Sequence, residues 1–96
     1  LQDAKNTTQS NWLYTALFKV KNLNTFIKIL KKNNIDSRNV HYPFHMIKIY
    51  KSYDPKNFNN KNSNLIFKYG LSLTTFYELK KNQLSKIVQV IKKYRD

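Results

Sequence analysis

Trp12-Leu13-Tyr14-Thr15-Ala16-Leu17-Phe18-Lys19-Val20, running on through Asn22 to Asn34, carries the two periods on which the fold class turns. Along the first part the side chains alternate. Trp12, Tyr14, Ala16, Phe18 and Val20 fall on one side, Leu13, Thr15, Leu17 and Lys19 on the other. A period of two in aromatic and β-compatible residues predicts a strand. Both sides are largely apolar at its start, which predicts cover on both faces there. The period then changes. Leu23, Phe26, Ile27 and Leu30 recur at helical spacing and give one apolar stripe. Asn22 is placed to accept backbone N–H groups at the start of that helix. Lys31 and Lys32 suit the negative end of its dipole, and Asn33 or Asn34 can take the left-handed conformation that stops it.

Working outward, Ile35 to Val40 reads as a short second strand, and Pro43 disfavours helix at Tyr42. Met46 to Tyr50 fits either a short strand or a turn of helix. Residues 52–64 are polar and Asn-rich, with Asp54-Pro55 as a turn signal, and read as a surface loop. Leu65, Ile66 and Tyr69 suggest a brief helix ending at Gly70, the only glycine, followed by a strand over Leu71 to Thr74. Leu84, Ile87, Val88, Ile91 and Tyr94 form the clearest stripe, opposed by Lys86, Gln89, Lys92 and Lys93. They predict a closing helix over residues 80–94, although Thr75-Phe76-Tyr77-Glu78 has capping-box spacing further upstream. The order β-α-β-loop-α-β-α, without internal repeats, predicts an α+β domain: a small sheet of short strands covered by about three helices. Residues 1–10 are polar and read as a linking or frayed segment before a single domain over residues 11–96.

At 96 residues the chain has room for one small domain. No apolar run approaches the length needed to span a bilayer, and the start lacks an apolar signal-peptide core, so a cytoplasmic protein is expected. It opens on Leu1 rather than Met, as a piece of a longer protein would. With no cysteine, disulfides, thiolate metal sites and cysteine nucleophiles are excluded. Lys and Arg total 18 against 5 acids, a net charge of +13, and such a balance raises the question of nucleic acid. Yet Arg38 and Arg95 are the only arginines, and the lysines are scattered from Lys5 to Lys93. Arginine is the side chain suited to bidentate phosphate and base recognition, so its scarcity counts against a dedicated reader. Lys, Asn and Ile excess reads instead as the imprint of an AT-rich genome on tolerant surface positions.

The stretch Ile35-Asp36-Ser37-Arg38-Asn39-Val40-His41-Tyr42-Pro43-Phe44-His45, continuing to Tyr50, places Arg38, Tyr42-Pro43, His45 and Tyr50 in the pattern R-x3-Y-P-x-H-x4-Y. This resembles the C-terminal domain of the DegT/DnrJ/StrS-type sugar-nucleotide aminotransferases, the perosamine synthase branch above all. Trp12-Leu13-Tyr14, the helix after Asn22, Asn34-Ile35-Asp36-Ser37-Arg38, Tyr42-Pro43-Phe44-His45, Gly70-Leu71-Ser72-Leu73 and the closing helix follow the family's order. Thr74 departs from the family's usual Pro, Asn34 from its common Gly, and Lys48 stands near a frequent Pro. The resemblance implies the small-domain fold of the aspartate-aminotransferase type. It also implies pyridoxal phosphate as cofactor of the complete enzyme, a nucleotide-linked keto-sugar and glutamate as substrates, and a homodimer. The cofactor's Schiff-base lysine, paired carboxylate and phosphate cradle have no counterpart in this chain, so it is not expected to transaminate alone.

Each candidate residue has a plainer reading beside the functional one. By the resemblance, Arg38 lines the substrate cleft; otherwise it makes an ion pair with Asp36 or Asp54. His45 is expected to contact a sugar or phosphate, with Tyr42 and Tyr50 as walls, although aromatic packing fits both tyrosines equally well. His41 and His45 could suggest a metal pair, but Pro43 lies between them and no cysteine or cluster of acids completes a ligand set. The rival readings of the chain are a stand-alone basic module that binds nucleic acid and a degenerate remnant without catalysis.

Overall fold

In the computed structural model, which describes residues 4–8, 10, 12–53 and 59–94, the elements follow the expected order. They are β1 (Tyr14–Leu17), α1 (Leu23–Lys32), β2 (Ser37–Asn39), 3-10 turns over Phe44–Met46 and Lys48–Tyr53, α2 (Lys61–Tyr69), β3 (Gly70–Leu73) and α3 (Lys81–Tyr94). The sheet is three-stranded in the order β1-β3-β2, antiparallel throughout. The fold is the α+β class that the alternation of periods implied. Its last strand in sequence is its central one, so β1 and β2 are both edges.

Successive strand residues face opposite ways, and β3 uses this fully. Leu71, wholly buried, and Leu73 turn toward a layer made of α1 and α3. Phe26 and Leu30 of α1, with Ile35 and Leu71, form the core, and Phe18, Val20, Ile87 and Ile91 pack around it. Burying a side chain such as Leu30 contributes about 1.5–3 kcal/mol. The Ser37 hydroxyl, beside Leu73 in the ladder, is buried without a hydrogen-bond partner, a local cost of about 1–3 kcal/mol.

α1 begins and ends as its sequence dictates. The Asn22 Oδ1 accepts the Thr25 N–H at 2.9 Å. At the other end Asn34 sits at φ 59, the Ile35 N–H donates to Leu30 O at 3.0 Å, and the Asn34 N–H donates to Lys31 O at 3.0 Å. This is a Schellman closure with its hydrophobic contact supplied by Ile35 and Leu30.

Several boundaries differ from the sequence expectation. β1 is shorter than Trp12–Val20: the Phe18 N–H still bonds in register to Tyr69 O, but Tyr69 belongs to α2, and the Val20 N–H turns back to Phe18 O. Its start is not covered on both faces: Leu13 and Leu17 lie on the side away from Leu71, and Trp12 and Tyr14 are exposed as well, Tyr14 at an open groove between β1 and α3. Met46 to Tyr50 falls in the 3-10 turns. α2 starts at Lys61, within the stretch read as loop, whose residues 54–58 lie outside the described residues. The Asn59 Oδ1 accepts the Lys61 N–H at 3.0 Å, so part of the asparagine run opens a helix. α3 starts at Lys81, not at the Thr75 capping box. Gln83 reaches back instead, its Oε1 accepting the Lys80 N–H at 2.8 Å.

Candidate functional site

The sheet face turned away from α1 and α3 carries a polar row. In the ladder Ser72 stands between Thr15 on β1 and Arg38 on β2. With Leu71 and Leu73 committed to the core, these three share the opposite face. The Thr15 and Ser72 hydroxyls are hydrogen-bonded at 2.9 Å, and Ser72 is buried. One hydroxyl donates in that bond, so the other keeps a proton to offer. The Arg38 side chain is 84% exposed, with its Nε 4.0 Å from Asp36 Oδ2. An ion pair this long and this wet contributes little, and most of the guanidinium fork is available to a ligand.

At one end the row opens into a groove of about 270 Å³, lined by Trp12, Leu13, Arg38 and Ser72 among others. Its rims are tied together. The Thr74 hydroxyl donates to Asp36 O at 2.7 Å, and the Thr75 hydroxyl donates to Trp12 O at 2.8 Å. β3 thereby fixes the approaches to β1 and β2, and with them the base of the Arg38 side chain.

The other candidates gather elsewhere, on α2. Pro43, at φ -63 and ψ 136, leads into the first 3-10 turn. Tyr42, just before it, packs edge-on against Phe67 at 4.9 Å between ring centroids. His45, just after it, holds Asn64 through Nε2 and Oδ1 at 2.8 Å. Tyr50 stacks edge-on with Phe44 at 5.4 Å. Thus Tyr42 and His45 are brought together through α2, Tyr50 joins them through the turn, and Arg38 stands apart on the sheet. His41 is exposed. Among the described residues no three His, Cys, Asp or Glu side chains converge as metal ligands would. Thr15, Ser72 and Asn64 were not legible as site residues. Only the strand parity and the three-residue step from Asn64 to Phe67 along α2 pointed to them.

A pyridoxal phosphate site needs a sheltered lysine, a carboxylate for the pyridine nitrogen and backbone N–H groups around the phosphate. Every described lysine is exposed, and the one glycine closes α2 instead of opening a phosphate loop. The residues described here do not fit that cofactor. The described lysines are spread along the chain, from Lys5, Lys19 and Lys21 before α1 through α1, the 3-10 turns, α2 and α3 to Lys93. No described helix is long and apolar enough to cross a membrane.

A family model described as the DegT/DnrJ/EryC1/StrS aminotransferase family matches residues 1–92. No curated protein matches the chain.

Proposed function

From a chain that belongs to the DegT/DnrJ/EryC1/StrS aminotransferase family, we propose a domain that closes one side of a transamination cleft whose cofactor is held by residues outside it. Enzymes of this family are generally dependent on pyridoxal phosphate, which supplies the electron sink for moving an amino group. The domain's own contribution is positioning and the exclusion of water. The substrates in this reading are a nucleotide-linked keto-sugar and glutamate, the working unit is a homodimer, and the compartment is the cytoplasm.

The observation that carries the reading is the Arg38 guanidinium, exposed over a groove whose rims are pinned by Thr74 and Thr75. A planar fork of donors on a fixed base is suited to a carboxylate or a phosphate. The Thr15–Ser72 pair adds a hydroxyl donor on the same face. His45, Tyr42 and Tyr50 are gathered separately, at α2 and the turn before it, and in this reading meet the substrate away from Arg38. The overall surface supports the same reading. Trp12, Tyr14, Phe44 and Phe76 are among the large apolar side chains left open. A surface of this kind belongs to a domain that packs against further protein. The scattered lysines weigh against the nucleic-acid module.

In the enzyme that carries this domain together with its cofactor-binding part, Arg38→Ala is expected to lower kcat/KM for a keto-sugar nucleotide at least tenfold, about 1.4 kcal/mol of transition-state stabilisation. Unchanged kinetics removes Arg38 from the site.

A further inference from the structure

The hydrogen bond of His45 to Asn64 constrains the ring more than its length suggests. An amide oxygen only accepts, so with Oδ1 of Asn64 at 2.8 Å the His45 Nε2 carries the proton. In the neutral imidazole Nδ1 then keeps a bare lone pair. Among the described residues Nδ1 has no hydrogen-bond partner of its own. Asn64 is itself fixed in α2, where its N–H donates to Asn60 O at 2.9 Å. One turn further along the same face, Phe67 takes the ring of Tyr42. Tyr42 and His45 flank Pro43, whose ring restricts the backbone between them. The turn is therefore clamped to α2 at two points, one aromatic and one polar, and only the polar one acts on the imidazole.

We infer that Asn64 is a positioning residue for His45, selecting the Nε2–H tautomer and presenting Nδ1 as a hydrogen-bond acceptor to the ligand. This rests on the reading that His45 lines the substrate cleft. It also narrows what His45 recognises. A neutral ring whose only N–H is engaged has nothing to give an anion, so a phosphate or carboxylate falls to Arg38 and the hydroxyl row. His45 takes a donor instead, of which a sugar hydroxyl is the natural kind.

The test is ¹⁵N NMR of the imidazole in this chain at a pH where the ring is neutral. The expected spectrum has Nε2 protonated, Nδ1 bare, and a ring N–H slow enough in exchange to be observed. Asn64→Asp, which keeps an acceptor, retains that N–H signal. Asn64→Leu loses it while the backbone spectrum of α1 and the sheet is unchanged. A proton on Nδ1, or an N–H signal indifferent to Asn64→Leu, overturns the inference. In the complete enzyme Asn64→Leu is expected to lower kcat/KM about three- to tenfold, with recovery in Asn64→Asp. If His45→Ala impairs turnover and Asn64→Leu does not, the positioning role falls and the site reading stands. If His45→Ala leaves turnover unchanged, the site reading falls, whatever the ring spectrum shows.

Discussion

Asn34 shows how one residue can satisfy a backbone demand usually met by glycine. At φ 59 it occupies the left-handed region, and the two hydrogen bonds that close α1 depend on its staying there. Asparagine tolerates this conformation, whereas a β-branched residue pays a steric cost. Asn34→Val is expected to destabilise the chain by about 1–2 kcal/mol, read as a lowered midpoint of urea unfolding, with Asn34→Gly at least as stable as the parent. Thr74 is the complementary case. Its hydroxyl donates to the Asp36 carbonyl, a tie between β3 and the approach to β2. Among the described residues the Arg38 guanidinium is approached only by Asp36 Oδ2, at 4.0 Å.

Among the elements, the junction of α2 and β3 is the most constrained. Gly70 has φ -80, a value open to any residue, so its smallness is needed for space and not for backbone freedom. A Cβ there would collide with the Ile66 carbonyl oxygen and approach Val40 Cγ1 to 2.8 Å. Gly70→Ala is expected to cost about 1–3 kcal/mol as the helix end shifts, seen as a lower thermal midpoint together with loss of amide-exchange protection in β3. α2 itself was only half legible. Its apolar residues Leu65, Ile66 and Tyr69 announced a helix, but the asparagines before them carry no periodicity and declare their role only once Asn59 caps Lys61. α3 ran true to its stripe, with the cap supplied by Gln83 in place of the upstream box.

The whole molecule is a one-sided sheet with a high positive charge. Trp12, the single tryptophan, is 76% exposed at the rim of the groove that holds Arg38 and Ser72. Its fluorescence is expected to be red-shifted and open to quenchers. With a net charge of +13, iodide should quench it more strongly at low salt than at about 0.15 M, where the Debye length falls to roughly 8 Å. Blue-shifted emission that resists both iodide and acrylamide would show that this rim is covered in solution.

Local rules carried the chain a long way unaided. The switch of period at Val20 fixed the α+β class, Asn22 and Asn34 marked the ends of α1, and the stripe from Leu84 to Tyr94 located α3. Each is decided by neighbours a few residues away, through caps, dihedral limits and the repeat of apolar side chains. What joins distant parts was not available to that reading. That β3 would sit between β1 and β2, aligning Thr15, Ser72 and Arg38 in a row, depends on strands more than thirty residues apart finding a register. The separation of Arg38 from the Tyr42–His45 turn, and the choice of Asn64 as the partner of His45, arise in the same way. Tertiary packing decided them, because a hydrogen bond or a sheet face between remote residues leaves no period in the sequence.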